Sequence, residues 1–74
     1  MDRFNAMNIF VRVAEEQGFA AAARSLNISP AAVTRTIAQL EQIIGARLLV
    51  RTTRSVTLTD AGVRYLADCK RLLS

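Results

Sequence analysis

The residues best suited to bind a ligand are arginines and hydroxyl side chains in the later part of the sequence. Residues 43–59 contain Arg47, Arg51 and Arg54 and no acidic residue, and the last two arginines enclose two threonines. Guanidinium groups match the geometry of phosphate oxygens, and hydroxyl groups donate to the same oxygens. This segment is therefore predicted to create a local positive field that attracts anionic groups.

Catalytic and metal chemistry find little support in the sequence. The chain has no histidine, the commonest general base near neutral pH, and no serine or cysteine stands in a recognisable nucleophile setting. Its single cysteine, Cys69, can form no disulfide within the chain, and the usual zinc ligand sets are missing. We therefore expect neither an enzyme nor a bound metal or other cofactor.

Length and composition indicate one small folded domain with an anionic partner. The chain has 74 residues, of which 51% are apolar, and a formal net charge of +4. This balance favours folding over disorder and polyanions over neutral partners. Charged residues interrupt the apolar ones before any stretch nears the ~20 residues that cross a bilayer, and the first residues lack a signal-peptide pattern. We expect a cytoplasmic protein with no membrane partner.

The first half of the chain has the spacing of two helices. Apolar residues recur at intervals of three and four over residues 4–14, and Gly18 is expected to end this helix in the left-handed conformation. Phe19 is interpreted as a loop anchor, and the alanines of residues 20–26 predict a second, short helix. Ile28, in the turn that follows, is expected to fill the core between helices.

A third helix is predicted after the turn at Asn27, a residue that tolerates the left-handed conformation. Ser29 is a capping residue and Pro30 suits the first helical position, while Gly45 is the expected stop. The predicted core stripe consists of Val33, Ile37, Leu40 and Ile44. The opposite face carries Ala31, Arg35, Ala38 and Gln42, flanked by Thr34 and Gln39. Small and polar side chains thus occupy the whole outer face.

The remaining elements are a hairpin and a fourth helix. Residues 48–50 and 56–58 are predicted strands, joined by the polar turn 52–55. Thr59 is expected to cap a helix that continues to Ser74 without a stop signal. The predicted fold class is mainly α: a winged helix-turn-helix, meaning a three-helix bundle with a small β-hairpin wing, over residues 1–58. Residues 59–74 are the predicted start of a long linker helix for dimerisation.

In a helix-turn-helix, the second helix of the pair enters the major groove. Bare side chains such as Ala31 would let its backbone approach the bases, while Thr34 and Arg35 are candidates for base or phosphate contacts. Ser29 and the first-turn N–H groups are a candidate phosphate site. Each feature alone also suits an ordinary helix start or a solvated surface, and the wing arginines also suit a plain polar turn. Together they favour DNA.

The apolar residues of the fourth helix have two interpretations. Val63, Leu66 and Leu73 would cover this domain's own core, or they would meet the same helix of a second subunit. The stripe continues for several turns beyond what a small body is expected to cover, which favours a partner. Cys69 is interpreted as an apolar filler on that surface rather than a redox switch, because the chain has no second cysteine.

The sequence resembles the LysR-type transcriptional regulators of bacteria over essentially all 74 residues. The specific part is AAAARSLNISPAAVTRTIAQLEQIIGARLLVRTTR, and SVTLTDAGVRYL after it is similar to the end of the wing and the opening of the family's linker helix. The resemblance implies a homodimer on double-stranded operator DNA, and a tetramer in the full-length protein. It also implies that these residues belong to a longer regulator whose separate C-terminal domain binds a small-molecule effector.

The resemblance assigns roles to individual residues. Implied base contacts come from Pro30, Ala31, Thr34 and Arg35, and implied phosphate contacts from Ser29, Thr36 and Gln39. At the wing, Arg54 would enter the minor groove, with Arg51, Thr52 and Thr53 near the DNA backbone. The implied dimer interface comprises Val63, Leu66, Cys69 and Leu73.

The chain departs from the family pattern before its second helix. Where the family often has Ser-Phe-Thr or Ser-Phe-Ser, this chain has Gly18, Phe19 and Ala20, so a hydroxyl cap and its phosphate contact are not expected.

One other function stays open, namely a helical protein-interaction module without DNA binding. Salt dependence separates the two, because DNA binding weakens steeply with salt.

Overall fold

The structure is a computed structural model that describes residues 2–52 and 55–74. In chain order its elements are α1 (Arg3–Glu16), α2 (Phe19–Leu26), α3 (Pro30–Ile44), β1 (Leu49–Arg51), β2 (Val56–Leu58) and α4 (Asp60–Leu73). The predicted order of elements and the winged helix-turn-helix class are confirmed. None of the helices in the described ranges has the length and apolar character of a membrane span.

The corner between α1 and α2 differs from the prediction. Gln17 ends α1 with φ 58°, whereas Gly18 has φ −174°, an extended conformation that any residue adopts. Gly18 is thus the cap position of α2, without a side chain to cap it, and Phe19 is the first residue of that helix rather than a loop anchor. The left-handed conformation is therefore adopted by Gln17, the residue before Gly18, and not by the glycine itself.

The turn between α2 and α3 is partly as predicted. Asn27 adopts the left-handed conformation, with φ 58°. Ile28, however, is 38% exposed and does not fill the core, so that prediction was wrong. Its backbone N–H donates to the Ala23 carbonyl at 3.0 Å, which closes the helix end, and the buried Ala22 and Ala23 let α2 pack closely without a larger filler.

The third helix begins and ends as its residues predict. The Ser29 hydroxyl accepts the Ala32 N–H at 3.0 Å, Pro30 occupies the first helical position, and Gly45 has φ 79° at the end. The stripe predicted to face the core is buried, with Ile44 half-buried at its end. The largest fully buried side chains of the described core are Phe10, Leu40, Leu48, Val13, Val33 and Cys69. The core thus lies under α3 and between α1 and α4.

The hairpin is antiparallel, with Leu49 opposite Leu58 and Arg51 opposite Val56. Its first strand begins one residue later than predicted, because Leu48 is fully buried and its backbone groups bond outside the ladder. The Leu48 carbonyl accepts the Thr59 N–H at 3.0 Å. The chain before the wing is therefore bonded to the start of α4.

The fourth helix packs closely against both the hairpin and α1. The Thr59 hydroxyl accepts the Gly62 N–H at 3.0 Å, as predicted for a cap, and donates to the Arg47 carbonyl at 2.5 Å. A Cβ on Gly62 would lie 2.1 Å from the Leu48 carbonyl oxygen, so a glycine is required for this approach. Farther along, the Tyr65 ring lies 5.4 Å from that of Phe10.

Candidate nucleic-acid interface

The outer face of α3 presents the small and polar residues that the sequence places there. Pro30, Ala31, Thr34, Arg35 and Gln39 are exposed, as the prediction of a contact surface requires. Thr36 is half-buried, because it lies about 100° around the helix from Arg35. The structure therefore brings the predicted base-contact residues together on one exposed surface, with Thr36 at its edge.

The start of α3 has the geometry of an anion site. Ser29 is exposed, and its hydroxyl oxygen accepts the Ala32 N–H. That bond uses a lone pair of the oxygen, so the O–H proton can still donate to a phosphate oxygen. The helix dipole favours negative charge at the same end. Ser29 thus combines a structural role with the capacity to hold an anion.

Glu41, which was not among the residues predicted for the site, joins α3 to the start of the wing. Its carboxylate accepts the N–H groups of Leu48, at 2.7 Å, and Leu49, at 3.3 Å. These bonds attach the start of the wing to α3. A signal was available, because Glu41 is the only acidic residue between residues 17 and 59. An isolated acid in a basic segment is expected to satisfy a specific donor.

The described part of the wing includes Arg51, Thr52 and Ser55. Arg51 is exposed, and its guanidinium carbon lies 3.9 Å from the centroid of the Phe19 ring. Thr52 and Ser55 close the wing turn: the Thr52 N–H donates to the Ser55 carbonyl at 2.8 Å, and the Ser55 N–H donates to the Thr52 hydroxyl at 3.0 Å. The predicted contacts of Thr53 and Arg54 lie outside the described residues.

Arg47, just past the end of α3, bonds to the wing. Its guanidinium donates to the Leu49 carbonyl at 3.5 Å, in the strand that follows. Arg47 and Arg51 line the cleft between α3, the start of α2 and β1, together with Phe19, Ala38 and Glu41. Two cations and one tethered carboxylate therefore face the space between the outer face of α3 and the wing.

The predicted dimer residues of α4 differ in exposure. Val63 is 55% exposed, and Leu66 and Leu73 are half-buried against the chain's own core. Cys69 is 0% exposed, so it has no surface to offer a partner, and we correct its assignment to that of a core residue. It faces α1 because α4 packs on that helix, and burial raises the pKa of its thiol. Leu72, 64% exposed, lies on the far flank.

Known proteins match both the sequence and the fold. The family model described as bacterial regulatory helix-turn-helix protein, lysR family, matches residues 4–63. The chain is 54% identical over 68 residues to the uncharacterized HTH-type transcriptional regulator YnfL of Escherichia coli K12, which covers 92% of the chain and 23% of YnfL. It is 41% identical over 73 residues to the transcriptional activator AaeR of the same strain, which covers 99% of the chain and 24% of AaeR.

Solved structures of DNA complexes have the same fold. The CbnR DNA-binding domain in complex with DNA superposes with a TM-score of 0.94 at 39% identity, over 96% of this chain and 82% of that one. The BenM DNA-binding domain with catB site 1 DNA gives a TM-score of 0.92 at 35% identity, over 96% and 79% of the two chains. The chain spans about a quarter of the length of the curated relatives it matches. It belongs to the lysR family of bacterial helix-turn-helix regulatory proteins.

Proposed function

We propose that the chain is the DNA-binding domain of a transcriptional regulator and binds double-stranded operator DNA in a sequence-specific manner. The observation that carries this proposal is the outer face of α3, where small and polar residues lie opposite a fully apolar core stripe and next to a basic wing. The likeness to the two DNA-bound domains supports it. The domain performs no catalysis and acts in the cytoplasm, where operator DNA is found.

The base contacts are assigned to the first turns of α3. Pro30 and Ala31 are exposed and short, so the backbone of the helix can approach base edges, and the Ala31 methyl can contact a thymine methyl. Thr34 and Arg35 project from the same face, and the Arg35 guanidinium can form a bidentate pair with guanine. These four residues would supply the sequence preference.

The phosphate contacts are assigned to the edges of that face and to the wing turn. Ser29 would donate its hydroxyl proton at the helix start, and Thr36 and Gln39 would hold the neighbouring backbone. Thr52 and Thr53 would do the same at the wing, with Arg54 in the narrow minor groove. Arg51 is not assigned to a phosphate here, because its guanidinium already lies against the Phe19 ring in the free protein.

A second copy of the chain is the proposed partner of α4. Val63, Leu66 and Leu73 follow one flank of the helix, at offsets of three and ten residues, and Val63 is exposed. Pairing this flank with its symmetry mate would bury Val63 and place two copies of α3 on one duplex. Assembly into a tetramer and the response to a small-molecule effector would belong to the full-length regulator.

Selection of duplexes from a random library, followed by titration of the enriched sequence at several salt concentrations, tests the proposal. We expect enrichment of a defined sequence and an affinity that falls steeply as salt rises, because each neutralised phosphate releases counterions. No enrichment, together with self-association that is insensitive to salt, would instead support the protein-interaction module.

A further inference from the structure

Arg51 and Phe19 form a stacked pair that joins the wing to the start of α2. The guanidinium carbon lies 3.9 Å from the ring centroid, which is the geometry of a cation–π contact. Phe19 is half-buried and packs against the hydrophobic core, so its ring is a fixed platform. Arg51 is the last residue of β1, directly before the wing turn. The pair therefore bears on where that turn lies.

The second strand of the wing is bonded to the same corner. Val56 lies opposite Arg51 in the ladder, and its N–H donates to the Gln17 carbonyl at 3.4 Å. Both strands thus contact the α1–α2 corner at their ends next to the wing turn, Arg51 through Phe19 and Val56 through Gln17. On the other side, Glu41 holds the chain before β1 to α3.

We infer that Arg51 is a positioning residue: by stacking on Phe19, it sets the place of the wing relative to α3, and hence the preference for the DNA that flanks the central site. This inference rests on the proposed function. It differs from the role implied by the family resemblance, a contact of Arg51 near the DNA backbone. The Arg51 guanidinium already stacks on the Phe19 ring in the free protein, so it is preorganised to orient the wing. Arg54 is then the proposed contact in the minor groove.

Two substitutions at Phe19 separate positioning from charge. Phe19→Leu removes the ring without changing any charge, whereas Phe19→Tyr keeps the ring face. Leu26→Val is the matched control, because Leu26 is another half-buried apolar residue at the opposite end of α2. In ¹H–¹⁵N spectra of the free chain, we expect Phe19→Leu and Arg51→Ala to shift the amides of Thr52, Ser55 and Val56. Phe19→Tyr and Leu26→Val should leave them in place.

The DNA measurement compares duplexes that share a central site and differ in A/T-rich or G/C-rich flanks. We expect Phe19→Leu and Arg51→Ala each to reduce the affinity ratio between these duplexes by about two- to fivefold, the range of an exposed cation–π contact. The double variant should lose no more than either single variant, because both changes remove one contact. Phe19→Tyr should restore the ratio.

Two results would overturn the inference. One is that the amide chemical shifts of Thr52, Ser55 and Val56 are unchanged in Phe19→Leu. The other is an Arg51→Ala defect that adds to that of Phe19→Leu, with a salt slope smaller by about 0.9 for each lost contact, which is the behaviour of a phosphate ligand. A parent chain that binds no duplex would refute the proposed function instead, and the amide shifts would then decide the positioning role alone.

Discussion

Glu41 offers a measurable link between α3 and the wing, and Glu41→Ala should destabilise the domain. The substitution removes a carboxylate that accepts the Leu48 N–H at 2.7 Å and the Leu49 N–H at 3.3 Å. A hydrogen bond to a charged group contributes about 1.5–3 kcal/mol, and the longer bond contributes less. Alanine recovers a few tenths of a kcal/mol in helix propensity. The expected net loss is about 2 kcal/mol of unfolding free energy.

Thermal unfolding followed by circular dichroism measures this loss. In a domain of this size, 1 kcal/mol corresponds to about 4–8 °C in Tm, so Glu41→Ala should lower Tm by about 8–16 °C. Glu41→Gln keeps an oxygen acceptor without the charge and should lose roughly half as much. Gln42→Ala is the matched control, because Gln42 is the exposed neighbour on the same helix and should change stability by less than ~0.5 kcal/mol.

Equal melting temperatures for Glu41→Ala and Gln42→Ala would refute the tethering role of Glu41. The effect on DNA binding is expected to be opposite to that of simple electrostatics. Removal of an acid from a basic surface should strengthen non-specific binding, whereas a loosened wing should weaken binding to the selected site. The ratio of specific to non-specific affinity should therefore fall in Glu41→Ala, and an unchanged or higher ratio would contradict the account.

Three further predictions concern the glycines, the dimer surface and pH. Gly62→Ala should destabilise the domain by several kcal/mol in chemical unfolding, because the new Cβ would overlap the Leu48 carbonyl oxygen at 2.1 Å. Gly18→Ser should instead stabilise the domain by a few tenths of a kcal/mol, because serine adds a cap to α2. A Gly62→Ala variant more stable than Gly18→Ser would refute the packing described. Val63→Asp should weaken self-association in sedimentation, whereas Leu72→Asp, at an exposed apolar residue on the opposite flank, should not. Equal effects of the two substitutions would exclude the proposed surface. Burial raises the pKa values of the Cys69 thiol and the Tyr65 phenol above their ordinary 9.0 and 10.0. The stability that depends on these neutral groups should therefore be fully present below about pH 9 and be lost as pH rises through the folded-state pKa values, and Cys69→Val should reduce that loss. A Tm as high at about pH 10.5 as at about pH 8 would contradict this.

Features with local causes were predictable from the sequence. Ser29 and Thr59 have side chains that cap a helix start within three residues, and Gly45 takes the left-handed conformation at a helix end. The period of the apolar residues likewise predicted which face of α3 is buried. Each of these outcomes depends on residues a few positions apart, so spacing alone carries the information.

Features that depend on distant residues were missed. Ile28 was expected in the core, but whether an apolar residue is buried depends on how closely the helices approach each other. The buried alanines of α2 let the helices pack closely without a larger side chain between them, and Ile28 stays partly exposed. The stacking of Arg51 on Phe19 joins residues 32 positions apart in sequence, and no periodicity predicts it. Cys69 was placed on an interface because its helical phase matched the outer stripe, whereas α1 covers that phase in the fold.

The most direct test of the central claim, that α3 recognises bases, is the effect of Arg35→Ala on sequence preference. Arg12→Ala is the matched control, since it removes the same charge from α1. Titrations at fixed salt, with the selected duplex and with duplexes changed at single positions, should show that Arg35→Ala costs about 1–3 kcal/mol and relaxes the preference at one position, while Arg12→Ala leaves the preference intact. Equal losses on every duplex for both variants would contradict base recognition by α3.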